Sequence, residues 1–532
     1  MKLMPRTRFG ALWRFLVAGI VVVACAAGTT AVAGLLEVKN ITEAIQIGKP
    51  LKHIHQLTLP KPGAPETLLL IGSDRRIGEG SFGNTDTMIL VRIDDNSSTI
   101  NVLSVPRDLL ITLPDGAQSK INAVYSDDGP SGLLKTLKAQ VFPGLKVNHI
   151  VIVSFLGFAR MIDAIGCVYT MVDHRYYNNT AQTDYSSINI EPGYQKLCGD
   201  NAGANGALAF VRFRHTDSDL VRSARQQDFL RWAKDGFSTS DLLTQRSHLI
   251  HVVTRNIQTD QNFTSTDSFI DLADLIIDAN GHTVKSIPFP VASEPNLGGS
   301  LGDVVEADHS NEDQAYKDFI TPTRLTSPPP SNAHRSRPHN APGHKGHKQA
   351  VHRHHSPAHP VSTAGLVEDT GDGLSQAAQL KKIAMPVFYP KDIVSGEFSG
   401  YCFTITGNCY ESPNPTSVYE NSYPRKYVID APNGKKYAAY SMTLVINPAL
   451  GEYYNVQGTT WRDPPILHAK VARVQTVDGR KLSVYENGGQ VSLVSFSTPK
   501  GVYWVSNTLA DTIPGSQMVG MAASMTVAPK VK

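Results

Sequence analysis

At 532 residues with 41% apolar side chains, the chain is longer than one ordinary domain and can bury more than one core. Its 50 Lys and Arg against 47 Asp and Glu leave a formal charge of +3, which excludes the broad basic footprint of a nucleic-acid binder. Any electrostatic function has to come from local clusters of charge.

The N-terminal segment 1–14 carries Lys2, Arg6, Arg8 and Arg14 and no acid, and from Phe15 to Leu36 no charged residue occurs. A run of that length and apolarity predicts a transmembrane helix over 15–36, and the flanking charges place 1–14 in the cytoplasm and everything beyond outside the cell membrane, in a single-pass arrangement. A cleaved signal peptide ending near Ala24, Ala26, Ala27 and Gly28 is the competing reading, but the apolar run continues past those residues. Residues 37–65, punctuated by Pro50, Pro60, Pro62 and Pro65, read as a stalk.

From residue 66 to 305 the pattern is that of an α/β domain. Thr67–Ile71, Thr87–Ile93 and Thr99–Val105 read as strands, the last two joined by the turn Asp94-Asp95-Asn96-Ser97. Leu133, Leu134, Leu137 and Val141 fall at helical spacing, His149–Val153 reads as a strand, and Phe155–Ile165 as a helix apolar on nearly every side. Such a helix suits a buried core position, with the lining of a lipid groove as the sharper alternative. Residues 306–375, with Pro328-Pro329-Pro330 and eight histidines from His334 to His359, read as a disordered linker, either a plain spacer or a segment that binds metals or anionic wall polymers.

Residues 376–527 form a second unit, a small C-terminal α+β domain. Strand runs at Tyr437–Ile446, Lys481–Tyr485, Val491–Phe496 and Gly501–Val505 are separated by the hairpin signals Asn433-Gly434, Asp478-Gly479 and Asn487-Gly488-Gly489. Met518, Met521, Ala522 and Met525 give a closing amphipathic helix. Trp461 and Trp504 suit either a strand core, the commoner use of such aromatics, or a sugar-binding face. Four of the five cysteines make two close pairs, Cys167 with Cys198 and Cys402 with Cys409. With no CxxC and the pairs in separate domains, two structural disulfides fit better than a zinc site.

The charged residues with chemical promise are few. In Phe210-Val211-Arg212-Phe213-Arg214 two arginines spaced by two would emerge on one face of an extended strand, and paired guanidinium forks suit a dianion better than paired ammonium groups do. A solvated strand face is the plainer reading of that pattern. Asp219, Arg222 and Gln226 share one stripe of the helix that follows, although Asp219 could equally be a cap or a partner for Arg222. Arg107 ends an apolar strand, where ligands bind in α/β sheets. Asp74 and Asp86 flank the first strand connection, either as surface turn residues or as two oxygen ligands for a magnesium ion.

The segments GSDRR, NTDTMILVRID, SVPRDLLITLP, KINAVYS, FLGFARMIDAIGCV and FVRFRHTDSDLVRSARQQ occur in one order over roughly residues 66–238, and this series resembles the LytR-CpsA-Psr family of cell-wall glycopolymer transferases. The resemblance implies a mixed central sheet flanked by helices. It also implies an enzyme that moves a glycan, as glycosyl phosphate, from a polyprenyl-pyrophosphate carrier to peptidoglycan or another wall acceptor. It carries Asp74 and Asp86 over as Mg2+ ligands and Arg107, Arg212, Arg214, Arg222 and Gln226 as pyrophosphate contacts. Arg76 matches the arginine of the GxDxR segment, and Asp219 an acid that assists the acceptor hydroxyl. The stretch between Arg214 and Asp219 is shorter than the family pattern, and nothing about the C-terminal domain transfers. A wall-polymer binder that keeps the fold, and a hydrolase acting on the same lipid pyrophosphate, are the rival readings.

Overall fold

The computed structural model describes residues 51, 53–74, 82–178, 188–199, 206–213, 217–235, 256–264, 282–323, 364–380, 382–403, 409 and 422–529. The expected transmembrane run 15–36, the first part of the stalk, the histidine-rich stretch, Arg76 and Arg214 lie outside these residues. Among the described residues no helix is long and apolar enough to cross a membrane.

The first domain is built on β1 (Glu66–Ser73), β2 (Thr85–Ile93) and β3 (Thr99–Val105), followed by α1 (Ile121–Thr136), β4 (His149–Ser154) and α2 (Phe155–Ala164). Next come β5 (Val168–Val172), β6 (Gly193–Leu197), α3 (Ala207–Arg212), α4 (Asp219–Asp235), β7 (Ile257–Thr259), β8 (Thr283–Ile287) and α5 (His309–Ile320). The sheet runs β7-β4-β1-β2-β3-β8 and is mixed: β1 pairs antiparallel with β2 and parallel with β4, while β3 pairs parallel with β8. The mixed sheet flanked by helices expected from the sequence is what forms.

The alternation along the strands explains why both faces are covered. Leu69, Ile71, Met88 and Leu90 face a core shared with Leu133, Leu134 and Leu137, and with Ala315 and Phe319 of α5. Ile89 and Val102 face the other way, towards Val284 and Leu230 of α4. Helix α5 falls inside the stretch read as a linker, and the helix Thr370–Gln379 begins within it. The folded domain therefore continues past residue 305. Pro- and His-rich composition dominated the window and hid the apolar pair Ala315 and Phe319, one helical turn apart.

At the far end of the sheet His149 is fully buried between two acids, with Nε2 3.1 Å from Glu66 and Nδ1 3.7 Å from Asp260. Burial works against its charge, but Asp260 and Glu66 outweigh that and raise its pKa. A raised folded pKa means the stabilisation is complete below the unfolded value near 6.5 and is lost as pH rises through the folded value. Urea unfolding is expected to show a gap between wild type and His149→Gln that narrows steadily above pH 6.5. A gap of constant size up to pH 9 would count against an imidazolium here.

The second domain is mostly strands. Its antiparallel sheet runs Gly400–Tyr401, Lys436–Asn447, Glu452–Thr459, Gly501–Ser506, Gln490–Thr498, Arg480–Asn487 and Val471–Val477, with Arg425–Asp430 also on Lys436–Asn447. The helices Thr370–Gln379 and Gly515–Ser524 cover one face through Ala377, Met518, Met521, Ala522 and Met525. The opposite face, with Ile429, Ala439, Leu493 and Trp504, packs on Met171 of β5 and Tyr194 of β6. Trp504 is fully buried and Trp461 stacks on Tyr437 at 5.4 Å, so these aromatics serve the packing between domains. The tip of one hairpin, Gly488, lies on the side-chain stem of Lys285 in the edge strand β8.

Both expected disulfides are present, Cys167 with Cys198 and Cys402 with Cys409. Asp163 lies beside the first pair, the one grouping of three metal-ligand side chains among the described residues, but its sulfurs are bonded to each other.

Candidate active site

Strand ends bring the first site residues together. Asp74 follows β1, Asp86 sits in β2, and Arg107 follows β3, all at one end of the central strands. In the β1–β2 ladder Ser73 faces Thr85 and Gly72 faces Thr87, so Asp86 is the extra residue of a bulge, while Asp74 pairs with Asn84, two residues before it. Asp74 is held by Asn84, whose backbone N–H donates at 2.5 Å and whose side chain donates at 3.3 Å. Asp86 accepts from Arg107 Nη1 and lies 3.5 Å from Arg212 Nη2.

The next residues come from the helices. Arg212 does not stand on a strand: it ends α3, and its guanidinium lies over Phe155, 3.9 Å from the ring centre. The segment Ala207–Val211 is buried throughout, which favours a short core helix over the extended strand that the alternation of Phe210 to Phe213 imitates. Asp219 opens α4, and Arg222 Nη2 reaches it at 2.7 Å. Both are buried, Arg222 to 3% exposure. Gln226, on the same stripe, donates to the Val211 carbonyl at 3.1 Å, so it ties α4 to α3.

Arg225, one residue from that stripe, is fully buried and holds the bend between the helices. It donates to the carbonyls of Phe210 and Phe213, each at 2.9 Å, and pairs with Asp217. Gln227 donates to Ser104 of β3 at 2.8 Å, which fixes α4 to the sheet.

Three further side chains belong to the cluster and escaped the sequence reading. Asp108 accepts from Arg107 Nε at 3.3 Å and lies 3.0 Å from Lys120 Nζ. Both lie within segments already singled out, SVPRDLL and KINAVYS, and that membership is the available signal. Glu294 has no such motif; it is brought near by a ladder in which Val305 N–H donates to the Asp108 carbonyl at 2.9 Å and Val304 N–H to the Pro295 carbonyl at 3.0 Å.

The electrostatics are those of a crowded, partly dry site. Burial raises the Asp219 pKa, reinforced by Asp108 and opposed by Arg222 and Arg107. Burial also lowers the Arg222 pKa, and the like charge of Arg107 adds to that effect. Arg107 shows the reverse: burial opposes its charge, yet Asp108, Asp86 and Asp219 together raise its pKa. Partial burial and the charge of Asp219 push Glu294 up. The buried Nε of Arg212 and of Arg222 have no hydrogen-bond partner among the described residues. Buried donors of this kind are costly unless an acceptor reaches them.

The pattern that defines the LytR_cpsA_psr family matches residues 29–316. The chain belongs to this family. A LytR_cpsA_psr relative from Oceanobacillus iheyensis, named polyisoprenyl-teichoic acid–peptidoglycan teichoic acid transferase TagU, is 27% identical over 262 residues, which are 46% of this chain and 76% of that protein. The cell wall biosynthesis protein LcpA of Corynebacterium glutamicum is 27% identical over 289 residues, 45% of this chain and 53% of its own length. This chain thus spans about half of that relative. The crystal structure of B. subtilis TagV is 23% identical, with a TM-score of 0.41 over 49% of this chain and 97% of that one.

Proposed function

We propose that this protein is a membrane-anchored, extracytoplasmic transferase that moves a glycopolymer, as glycosyl phosphate, from a polyprenyl-pyrophosphate carrier to peptidoglycan or another wall acceptor. The observation that carries the reading is the meeting of Arg107, Arg212 and Arg222 with Asp86 and Asp219 at one end of the central strands, with two buried arginine Nε donors that have no partner among the described residues. A pyrophosphate offers the oxygens those donors lack, and the names of the relatives point to the same chemistry. Arg76 and Arg214 join the clamp in this reading.

In the transfer, the acceptor hydroxyl oxygen attacks the phosphorus that bears the glycan and forms a new P–O bond. The bridging P–O bond of the pyrophosphate breaks, and polyprenyl phosphate leaves. Arg107, Arg212 and Arg222 answer the charge that builds on the bridging and leaving oxygens. Asp219, with its pKa raised by burial, takes the acceptor proton.

The donor set at Asp74 and Asp86 is two carboxylates, which fits Mg2+. Bound there, the ion would supply positive charge to the pyrophosphate oxygens. With Asp86 held as a ligand there, Arg107 and Arg212 would be left to face the donor.

The lipid follows α2. That helix buries only Gly157, Ala159 and Ile162, and Leu156 is 49% exposed, so it is not the core helix its composition indicates. Phe155 and Leu156 lie next to the arginine clamp and would receive the first isoprene units. Leu156→Asp is expected to weaken long-chain donors more than short-chain ones; equal losses for both would remove the helix from the lipid path.

The reading as a whole is tested with the full chain in detergent, labelled lipid-pyrophosphate glycan, Mg2+ and peptidoglycan. Label joined to peptidoglycan is the expected product. Release of free glycan phosphate alone would make the protein a hydrolase, and no turnover across donors would make it a binder.

A further inference from the structure

The second domain does more than follow the first in the chain. One face of its sheet has its own helices; the other lies on β5, β6 and the last turn of α4. Its contacts reach the helix that carries Asp219, Arg222 and Gln226 at both ends. Near the C-terminal end, Arg231 lies 3.6 Å from Asp511, and Trp232 packs in the same cluster as Trp504. At the first turn, the hairpin tip Pro448–Gly451 touches Val221, two residues beyond Asp219. A Cβ at Gly451 would lie 2.7 Å from Val221 Cγ1, and Gly451 has φ +62°, so only glycine allows this approach without strain.

A second line of contact reaches the bend between α3 and α4. Tyr453, just past the hairpin tip, stacks on His174 with centroids 4.2 Å apart and planes 21° from parallel. His174 in turn faces Asp217 at 4.0 Å, and Asp217 pairs with Arg225, which holds the carbonyls at the end of α3. The backbone beside His174 is fixed from the same sheet: Asn455 Nδ2 donates to the Asp173 carbonyl at 2.9 Å, and Tyr423 accepts from the Arg175 N–H at 2.8 Å.

We propose that the C-terminal sheet is part of the catalytic apparatus, with Gly451 and Tyr453 as positioning residues that seat the first turn of α4 and, through Asp217 and Arg225, the end of α3 against Arg107. The proposal rests on the role given above to Asp219 and Arg222. Displacement of a reacting group by about 1 Å costs on the order of 100-fold in rate, so a contact outside the chemistry can govern it.

The test compares two hairpin glycines of one domain in the full chain. Gly451→Ala inserts a methyl group against Val221. Gly434→Ala suffers the same kind of backbone penalty at φ +75° but meets nothing within 4 Å. Gly451→Ala is expected to lower kcat/KM for the lipid donor by about 10- to 100-fold and to speed amide exchange across Asp219–Gln226, while Gly434→Ala changes neither by more than about twofold. Adding Val221→Ala to Gly451→Ala makes room for the methyl and is expected to restore both readouts. Tyr453→Leu, which stays apolar but loses the flat contact with His174, is the second arm and should speed exchange in the same segment. If Gly451→Ala and Gly434→Ala match in exchange, or Val221→Ala gives no rescue, the sheet is a passive neighbour. A wild-type protein without transfer activity would sink the transferase reading, and the exchange contrast would still decide this one.

Discussion

Arg222→Met is expected to lower kcat/KM for the lipid-linked donor by about 1000-fold or more, with a smaller loss for Arg222→Lys. Arg222 is 3% exposed, holds Asp219 at 2.7 Å, and its Nε has no partner among the described residues. Methionine fills much of the volume but removes every donor at once, so the pyrophosphate loses a fork and Asp219 loses its nearest counter-charge. Leaving one member of a buried pair alone costs about 3–5 kcal/mol, and part of that is recovered by protonating the acid. The acid limb of the pH–rate profile should therefore move to higher pH in the residual activity, because burial already raises the Asp219 pKa and Arg222 opposes the rise. A variant with the wild-type profile and a simple rise in KM would show that Arg222 only binds. Lysine keeps a charge but presents a single ammonium where the site has a fork.

Asp86→Asn should give effects of opposite sign with and without metal. The carboxylate now accepts from Arg107 and faces Arg212 at 3.5 Å, in competition with any phosphate. Asparagine lacks that charge, so a short polyprenyl pyrophosphate in EDTA should bind about tenfold tighter, roughly 1.4 kcal/mol. Turnover in Mg2+ should fall by about 100-fold or more. Wild type should show mutual tightening of Mg2+ and donor, and the variant should lose it. Calorimetric titration in both buffers decides the matter: weaker binding of the donor to Asp86→Asn in EDTA would mean that the two arginines do not await a phosphate.

The parts of this fold that could be read from the sequence are those in which local pattern and tertiary context agree. Thr99–Val105 is a strand with the expected ends, and the hairpin glycines after Asn433 and Asp478 fall between strands as predicted. Arg212 was misread because a two-residue alternation over Phe210–Phe213 is the same in a strand and in a short helix buried all round; tertiary burial chose the helix. Individual site residues were visible through the motif series, but their pairing was not. That Asp86 joins Arg107 and Arg212, or that Glu294 comes near Asp219, depends on which strands lie side by side. The contact of Gly451 with Val221 spans more than half the first domain's length in sequence, and no local rule anticipates it.

The hairpin tip at Gly488 has a consequence for solubility. Strand β8 is the outer strand of the central sheet, and an outer strand offers a template to which another chain can add. Gly488 lies against Lys285 of that strand. A second molecule approaching this edge meets a turn and a cationic stem instead of a bare row of amides. Lengthening the side chain at 488 would lift the turn away and open this edge to edge-to-edge polymerisation.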